Sequence, residues 1–415
     1  MADSRTRDNP ARTWWGTRAA STGLAGLVRL PYRYQPWRPR HIRLILRDFT
    51  GGSPSRAHDD KAHLAAALDW LCLAQDVLDG RSDAGGISAG WSFEDDWLPG
   101  YPETTGYTIE TFIEAADALE RPDLISRAHR MIDWLLSIQH SDGAFPGHYG
   151  EPGSKPVIFN TGQIMHGLLA GHLGLGRPEC LPAAVRAGFW LTEQQDDDGC
   201  WRRSQHNDIP HTYDTRTSWA LLRTGLAAQE PILRSAASRQ LDWAVKQQDR
   251  DGWFAGNAFR TDAAPSTHTI AYAICGLLES GVLVGNEGYL AAAKKAAYAV
   301  AKLQQGNGWL AGAYKQNWKP VNSYCCLTGV AQMAINWTSL AACCGQSELL
   351  DNARRAVAYV KRHHSVTAQD PVIRGGLAGS YPIWGAYERF CYPAWAVKFF
   401  ADALMSLCRL TKSAC

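Results

Sequence analysis

The sequence carries almost no net charge and lacks the cysteine patterns that stabilise small or metal-bound domains. Its 42 Lys and Arg residues are balanced by 40 Asp and Glu residues, which leaves a net charge of +2. The chain as a whole is therefore not expected to bind nucleic acid. The eleven cysteines show neither zinc-finger nor disulfide-framework spacing, so we predict no metal and no cofactor. The segment from Met1 to Trp15 lacks the apolar core of a secretory signal, and we expect a cytoplasmic protein.

Long alternating strand patterns are also absent, and an internal repeat of 53 to 64 residues takes their place. An aromatic residue is followed five positions later by Gln, then by Gly and a second aromatic residue. A fixed period of this length is typical of folds built from one repeated supersecondary unit. The clearest copies are Trp134-Gln139-Gly143-Phe145, Trp190-Gln195-Gly199-Trp201, Trp243-Gln248-Gly252-Phe254 and Ala299-Gln304-Gly308-Trp309, with degraded copies at Trp70 and Tyr359. In the fourth copy Ala299 stands in the place of the aromatic residue.

Each copy of the repeat predicts a pair of helices. The stretch before each Gln is apolar at helical spacing, and the Gly after it suits a helix exit. A polar and aromatic loop follows, and then a second helical pattern that begins near a threonine, a residue suited to the N-cap. Six such hairpins can close into a ring, with the second helices forming an inner barrel. We therefore predict an all-α fold, an (α/α)6 toroid over residues 58–415.

The signature resembles the QW repeat of triterpene cyclases and of prenyltransferase β subunits, over roughly residues 60–410. This resemblance implies the toroid, but toroids carry unrelated reactions, so it does not imply one chemistry. A terpene cyclase or a prenyltransferase-like enzyme stays one alternative. The buried Asp-x-Asp-Asp acid of the cyclases is missing, since Glu94-Asp95-Asp96 and Asp196-Asp197-Asp198 are the nearest segments.

Residues 1–57 form a separate N-terminal arm that contains Arg, Pro and Trp. Residues 1–47 hold ten Arg, no Lys and two Asp, a charge of +8. The apolar run from Ile42 to Leu46 predicts one short helix in this arm. A basic arm of this kind is suited to peripheral contact with an anionic membrane or with a biosynthetic complex.

The six inner-helix starts are polar and differ from one another, while the rest of the repeat is alike. They are predicted to meet at one mouth of the ring, and a toroid is expected to place its cleft there. Their chemistry resembles the Asn, His, Tyr and Arg grouping of toroidal polysaccharide lyases. That resemblance implies that Asn160 and Arg216 neutralise a uronate carboxylate, that His211 abstracts a proton, and that Tyr213 protonates the leaving oxygen. C5-epimerisation uses the same proton abstraction, and Glu103 completes the predicted catalytic set.

Further residues at the loops and inner-helix starts are predicted to bind the substrate. Loop aromatics beside acids, bases and amides suit a sugar, whose C–H face stacks on a ring and whose hydroxyls need partners. The predicted binding residues are Tyr101, Tyr107, His268, Trp201, Trp253, Trp309, Arg374, Tyr381, Trp384 and Glu388.

The segments 101–107 and 159–163 look like those of proteins encoded in bacterial exopolysaccharide clusters. This resemblance implies a carbohydrate-active protein of polysaccharide biosynthesis, with a polysaccharide or oligosaccharide as its substrate. A glycoside hydrolase is an alternative, with Glu103 paired with Glu388 or Asp214. A toroid that binds a polymer or a partner without catalysis is another.

Overall fold

The computed structural model describes residues 32–51, 58–150, 154–321 and 323–411. One helix of the arm, α1 (Pro39–Phe49), precedes six helical hairpins. The outer helices are α2 (Asp60–Asp76), α4 (Pro122–Ile138), α6 (Cys180–Gln194), α8 (Pro231–Lys246), α10 (Glu287–Leu303) and α12 (Leu349–Lys361). The inner helices are α3 (Pro102–Ala118), α5 (Ile158–Leu175), α7 (Thr215–Ala227), α9 (Thr267–Val284), α11 (Leu327–Cys344) and α13 (Ala394–Thr411).

The inner helices form a closed ring. Each of them contacts the next inner helix, and α13 contacts α3, which closes the circle. Each inner helix also packs against the outer helix that follows it in the chain, except that α13 packs against α2. The predicted (α/α)6 toroid is confirmed, and the core lies between the two layers of helices.

The repeated Gln joins one outer helix to the next. Gln195 lies at the end of α6, and its side-chain Nε2 donates hydrogen bonds to the carbonyl oxygens of Gly199 and Ala236, each at 2.9 Å. Ala236 belongs to α8, so the amide bridges neighbouring outer helices. The Nε group of Arg239 donates to the Gln195 side chain at 3.1 Å. Gln139 forms the same pair of bonds, to Gly143 and Ala183.

The repeated Gly is required by backbone geometry. Gly199 has a φ of +89°, a region that favours glycine, and a Cβ atom placed there would lie 2.4 Å from the carbonyl oxygen of Arg239. Gly143 approaches Arg186 in the same way. Since the chain leaves the outer helix at this point, these observations confirm that the Gly lies outside the helix.

The aromatic residues of the outer helices are core in three copies. Trp70, Trp134 and Trp190 are buried, as predicted. Trp243 is only half-buried, so the prediction that it belongs to the core is wrong. It lies on α8 beside polar and exposed positions, which leave one side of the ring accessible.

The threonines at the inner-helix starts attach the helices to the loops and do not act as N-caps. Thr105 Oγ1 accepts a hydrogen bond from the Ile87 amide at 2.8 Å. Thr161 Oγ1 accepts one from the Phe145 amide at 3.3 Å. The expectation of threonine N-caps is therefore wrong, because these residues lie inside the first turn and their hydroxyls reach sideways to the preceding loop.

Short strands cover the ring at the N-terminal ends of the inner helices. β1 (Gly90–Ser92) pairs with β2 (Asp96–Trp97) and with β7 (Cys391–Pro393), and so joins the first hairpin to the last. All these pairings are antiparallel. Two further ribbons are β3 (Tyr314–Lys315) with β4 (Lys319–Pro320), and β5 (Cys325–Cys326) with β6 (Ser380–Tyr381). We call these strands and their loops the roof.

The arm helix α1 contains the apolar run predicted to be helical and lies on the roof. Residues 1–31 and 52–57 of the arm, which include its predicted boundary with the toroid, fall outside the described residues. Among the helices that are described, α9 is long and apolar enough to cross a membrane, but 78% of that stretch is buried inside the protein. We therefore assign α9 to the core of the barrel.

Candidate functional site

The roof buries the predicted mouth residues. The side chains of Glu103, Asn160, His211, Tyr213 and His268 are each 6% exposed or less. The expectation of an open cleft at this end of the ring is therefore wrong. The loops between outer and inner helices fold inward over the helix starts, and aromatic residues of the first and last loops, Trp91, Phe93 and Phe390, pack against each other there.

Glu103 lies at the start of α3 beneath the roof. Its carboxylate accepts a hydrogen bond from the Tyr101 hydroxyl at 2.8 Å. Burial raises the pKa of Glu103 to about 7, although the Tyr101 hydrogen bond and the charge of Arg216 oppose this shift. A carboxyl group with this pKa can exchange a proton near neutral pH.

His211 cannot serve as the predicted base in this structure. Its Nδ1 lies 3.1 Å from the Ala258 carbonyl oxygen, and its Nε2 lies 2.8 Å from the His206 carbonyl oxygen. Both ring nitrogens thus face acceptors, and the ring stacks on Tyr213 with centroids 4.4 Å apart. A base needs a lone pair directed at the substrate, so His211 is better explained as a residue that ties the roof down.

Asn160 and Tyr213 lie in the same buried layer, and each has polar atoms without a partner. Both side-chain atoms of the Asn160 amide and the Tyr213 hydroxyl are buried without a hydrogen-bond partner. The Tyr213 ring meets Phe159 edge-on at 5.1 Å. Buried polar groups are normally satisfied, so these atoms are available to a water molecule or a ligand. Their predicted catalytic roles stay predictions.

Arg216 is a buried cation, and among the described residues no acidic side chain forms an ion pair with it. Its side chain donates to Gln163 Oε1 at 2.7 Å and to the Cys275 thiol at 3.3 Å. The guanidinium lies over the rings of Trp219, Tyr272 and Phe399 at 5.4 to 5.5 Å. An unpaired charge is costly to bury, so this position is suited to an anionic ligand.

A cavity of about 100 Å³ extends from Arg216 along the barrel axis. Five of the six inner helices contribute to its wall. At this size the cavity holds several water molecules or part of a small ligand. The lining residues are Glu110, Arg216, Trp219, Ala271, Tyr272, Cys275, Glu279, Gln332, Ile335, Asn336, Lys398, Phe399 and Asp402. We call this space the axial cavity.

Three carboxyl groups line the axial cavity in different environments. Asp402 forms an ion pair with Lys398 at 2.5 Å and accepts a hydrogen bond from Thr111 at 2.8 Å. Glu110 pairs with Arg223 at 3.2 Å. Glu279 has no ion pair among the described residues, and burial raises its pKa above the ordinary value. Carboxyl groups whose environments differ in this way are typical of sites that use one as an acid and another as an anion.

Side chains in and beside the axial cavity become more exposed toward the C-terminal ends of the inner helices. Side-chain exposure is 3% for Lys398, 20% for Asp402 and 29% for Glu110, and it rises to 39% for Glu114. The opening is therefore at the end of the ring opposite the roof, and a ligand would enter there.

Several predicted binding residues lie away from the axis. Trp201 is buried and donates from Nε1 to the Leu191 carbonyl at 2.8 Å, so it packs on its own outer helix and is not free to stack on a sugar. Trp253 and Trp309 are half-buried in the equivalent loops. Arg374 is exposed beside Gly375, which packs on Ala66 of α2 in the outer wall.

The predicted binding residues Tyr381 and Trp384 belong to the last loop of the chain and lie at the roof. Tyr381 is half-buried, and its ring packs on His363 with centroids 3.9 Å apart. Trp384 is exposed. Packing of this loop over the ring makes these residues part of the roof surface, and their predicted role in substrate binding stays a prediction.

The remaining predicted side chains are near the axis. The Tyr107 ring lies beneath the Lys398 ammonium at 5.1 Å. His268 hydrogen bonds through Nδ1 to Gln332 Oε1 at 2.8 Å. Because that oxygen only accepts, His268 carries its proton on Nδ1, and Nε2 keeps a lone pair. Burial lowers the pKa of His268 to about 3, so the ring is neutral.

The alternative carboxylate partners of Glu103 are both buried. Asp214 accepts a hydrogen bond from Gln205 at 2.5 Å, and burial raises its pKa to about 8. Burial likewise raises the pKa of Glu388 to about 8. They belong to the roof layer, and neither lines the axial cavity.

Sequence reasoning missed most of the axial cavity, including Glu110, Glu279, Lys398 and Asp402. A usable signal existed, because these are charged residues within helices whose other positions are apolar. Lys398 and Asp402 stand four residues apart in the apolar run of α13. In a helix that is buried all round, such charges indicate a polar interior. Within the described residues, no group of three or more His, Cys, Asp or Glu side chains is arranged to hold a metal ion.

Comparison with known proteins supports the architecture. Residues 101–278 match the family model of the squalene-hopene cyclase C-terminal domain. No curated protein sequence matches the chain.

Solved toroids match nearly the whole described chain. An unsaturated glucuronyl hydrolase specific for heparin is 12% identical, with a TM-score of 0.69, and the match covers 86% of this chain and 98% of that one. An unsaturated glucuronyl hydrolase from Bacillus sp. GL1, responsible for glycosaminoglycan degradation, is 15% identical at a TM-score of 0.66, with 86% and 98% covered. Cellobiose 2-epimerase from Spirochaeta thermophila is 16% identical at 0.66, with 85% and 96% covered. The chain has the (α/α)6 toroid fold, and its similarity to these glucuronyl hydrolases and to the epimerase is one of fold.

Proposed function

We propose that the protein is a carbohydrate-active enzyme that binds an acidic sugar in the axial cavity and acts on it by acid–base chemistry. The observation that carries this proposal is the unpaired guanidinium of Arg216 in one cavity with the carboxyl groups of Glu110, Glu279 and Asp402. A uronate carboxylate would supply the missing negative charge, and a planar guanidinium can bind it through two hydrogen bonds.

The carboxyl groups favour hydrolysis of a glycosidic bond. Burial raises the pKa of Glu279 and so favours its protonated form, which can donate a proton to the leaving oxygen. Asp402, which forms an ion pair with Lys398, can stabilise the positive charge that develops on the sugar ring. This division of roles between two carboxyl groups is the one that glycoside hydrolysis requires. For hydrolysis we therefore propose the carboxyl pair Glu279 and Asp402 of the axial cavity. This pair replaces the predicted pairing of Glu103 with Glu388 or Asp214.

The charges of the cavity disfavour a terpene cyclase. A carbocation intermediate needs aromatic faces that are free to stabilise it. Here the faces of Trp219, Tyr272 and Phe399 are occupied by the Arg216 guanidinium, and Lys398 lies over Phe399 at 4.7 Å.

A uronate lyase or C5-epimerase is the second candidate. One observation favours it, since His268 keeps a lone pair on Nε2 beside the layer that holds Arg216 and Glu103. Arg216 would neutralise the carboxylate, which is the first requirement of proton abstraction at C5. A base at His268 would replace the predicted His211.

The test is an incubation of the purified protein with uronate oligosaccharides and with matched neutral oligosaccharides in deuterated water. A hydrolase releases reducing ends from the acidic set only. A lyase produces the ultraviolet absorbance of an unsaturated uronate, and an epimerase leaves deuterium at C5 without cleavage. Turnover of the neutral set at equal rates would contradict the assignment of Arg216 as the carboxylate-binding group.

A role in bacterial polysaccharide biosynthesis and a cytoplasmic location are part of the same proposal. They rest on the resemblance of segments 101–107 and 159–163 to proteins of exopolysaccharide clusters. Deletion of the gene in its host, followed by analysis of the secreted polymer and fractionation of the tagged protein, tests both.

A further inference from the structure

Exposed aliphatic side chains border the open end of the axial cavity. Leu173, Leu226, Val282 and Leu283 are 67%, 38%, 43% and 42% exposed. They lie within the last three residues of α5, α7 and α9, three inner helices that are neighbours in the ring. Single exposed apolar residues are ordinary, but a group of them at the mouth of a cavity is typical of a binding surface. We call these four residues the crescent.

The crescent continues the wall of the axial cavity. Val282 and Leu283 stand three and four residues after Glu279, which lines the cavity. Leu226 stands seven residues after Trp219, which also lines it. Residues at these spacings share one face of a helix. A ligand that extends out of the cavity along α7 and α9 therefore meets the crescent first.

The two halves of the rim differ in character. Leu173 extends the crescent to α5, because it stands seven residues after His166, whose ring contacts Trp219 with centroids 4.5 Å apart. On the other half, Arg409 of α13 pairs with Glu114 of α3 at 3.2 Å. The mouth thus offers an apolar surface on one side and an ion pair that neutralises its own charges on the other.

The cavity can enclose only the first part of a ligand. It is closed at the roof end, where Tyr272 and Lys398 line it and are 2% and 3% exposed. Its volume of about 100 Å³ is below the range of about 300–1,000 Å³ that is typical of sites for whole small molecules. Leu226 is ten residues beyond Arg216 on α7, roughly 15 Å along the helix axis. When an acidic sugar reaches Arg216, the group attached to it therefore emerges at the crescent.

The crescent is better suited to an aliphatic chain than to further sugars. It consists of Leu and Val side chains, so it provides no aromatic ring on which the C–H face of a sugar could stack. Nor do these side chains offer hydrogen bonds to sugar hydroxyls, which would be desolvated without a partner. A chain of methylene groups, by contrast, gains hydrophobic free energy with each group that it buries.

We propose that the axial cavity and the crescent bind one amphipathic ligand, an acidic sugar carried on an aliphatic lipid chain. The carboxylate lies at Arg216, and the chain lies on the crescent. This inference rests on the proposed function, because the acidic sugar in the cavity determines where the chain emerges. It narrows the substrate class to an acidic glycolipid.

The experiment is calorimetric titration of the full-length protein with methyl glucuronide, decyl glucuronide and decyl glucoside, each below the concentration at which it forms micelles. Decyl glucuronide should bind roughly a hundredfold more tightly than methyl glucuronide, which is the gain from about four buried methylene groups. Decyl glucoside lacks the carboxylate and should bind about tenfold more weakly than decyl glucuronide, or weaker still.

The variant Leu226→Gln/Leu283→Gln should lower the affinity for decyl glucuronide about tenfold, the effect of about two methylene groups left exposed. The ratio of decyl to methyl affinity should fall with it. A folding defect would weaken both ligands and keep this ratio. The matched control is Leu46→Gln/Phe49→Gln on the roof helix α1, where the two side chains are 52% and 76% exposed. It should keep the wild-type ratio.

Each contrary result overturns a different part of the assignment. Equal affinity for methyl and decyl glucuronide would overturn the crescent and leave the proposed function standing. Binding of neither glucuronide would overturn the proposed function and this inference with it. A wild-type ratio in Leu226→Gln/Leu283→Gln, or an equal fall in the control, would place the chain elsewhere and would overturn the inference alone.

Discussion

The Nε group of Arg216 on α7 donates a hydrogen bond to the Oε1 atom of Gln163 on α5 at 2.7 Å. The bond joins two neighbouring inner helices and directs the guanidinium into the barrel. Its neighbours are a thiol and three aromatic rings, and no acidic side chain of the described chain pairs with it. The guanidinium charge of Arg216 is thus held in place without a neutralising acidic partner, which is the arrangement expected of a group that binds an anionic ligand.

Replacement of Arg216 is expected to weaken the binding of acidic sugars without lowering the stability of the fold. Arg216→Met should leave the free energy of unfolding unchanged or raise it by roughly 1–2 kcal/mol, because an uncompensated buried charge is removed. The same variant should bind acidic sugars about ten- to a hundredfold more weakly, since a charged hydrogen bond contributes roughly 1.5–3 kcal/mol. Calorimetric titration and chemical denaturation measure the two quantities. Arg216→Lys, which keeps the charge but not the fork of donors, should fall between.

Two of the three carboxyl groups in the axial cavity, those of Glu279 and Asp402, are expected to carry out the reaction. Glu279→Gln and Asp402→Asn should each lower kcat by about 10²- to 10⁴-fold on the acidic oligosaccharide that the wild type turns over in the incubation described above. Because burial raises the pKa of Glu279, activity of the wild type should fall as pH rises through that pKa. Glu114→Gln is the control, since Glu114 lies one turn beyond Glu110 on α3, forms an ion pair with Arg409 and does not line the axial cavity. If Glu114→Gln is as inactive as Glu279→Gln, the acid has been assigned to the wrong depth of the cavity.

Glu103 should make stability depend on pH. Its pKa is about 7 in the folded protein against an ordinary value of 4.5. The folded state therefore holds a proton that the unfolded state has lost between these values, and stability is lost as pH rises through this window. Glu103→Gln is neutral at every pH, so its stability relative to the wild type should increase by about 2–3 kcal/mol from pH 4.5 to 7.5.

Denaturation curves at several pH values measure this difference. The control is Glu193→Gln on the exposed surface of α6, which should show no such trend. A pH-independent difference for Glu103→Gln would mean that Glu103 titrates alike in the folded and unfolded chains.

The two tryptophans at equivalent positions of the repeat should differ in their contribution to stability. Trp190 is 4% exposed, while Trp243 is half-buried. Trp190→Ala should cost about 3–5 kcal/mol, the range for a large buried side chain, and Trp243→Ala should cost clearly less. Trp201→Ala should resemble Trp190→Ala, because Trp201 is buried and hydrogen-bonded. Equal losses at Trp190 and Trp243 would contradict a link between burial and stability at this position.

The repeat predicted the toroid because its physical requirements are local. A Gln five residues after the aromatic residue reaches the backbone of the next outer helix, and a Gly four residues later takes a backbone conformation that other residues avoid. Both constraints recur in the four clearest copies, so spacing alone identifies them. The short arm helix was predicted in the same way, from one apolar run.

The site could be predicted only in part, because its members come from different hairpins. Arg216 was identified, and it does line the cavity. His211 is a residue type that can act as a base, but its ring nitrogens lie within hydrogen-bonding distance of the carbonyl oxygens of Ala258 and His206. No local sequence pattern predicts these contacts. Lys398 and Asp402 stood out from an apolar helix, yet their relation to Arg216 and Glu110 depends on ring closure.

The sequence by itself determined the number of hairpins, the Gln contacts that join neighbouring outer helices, and the basic arm with its apolar run. Each of these depends on residues that are close together in the chain or repeated along it. Only the tertiary structure decided which end of the ring is closed. Polar and aromatic residues occur both in loops that are buried and in loops that are exposed, so their pattern does not predict which end of the ring is covered. Side-chain packing in the folded protein decides this. That packing buries Glu103 and Asn160 beneath the roof, and it leaves the opposite end open beside Glu110 and Asp402.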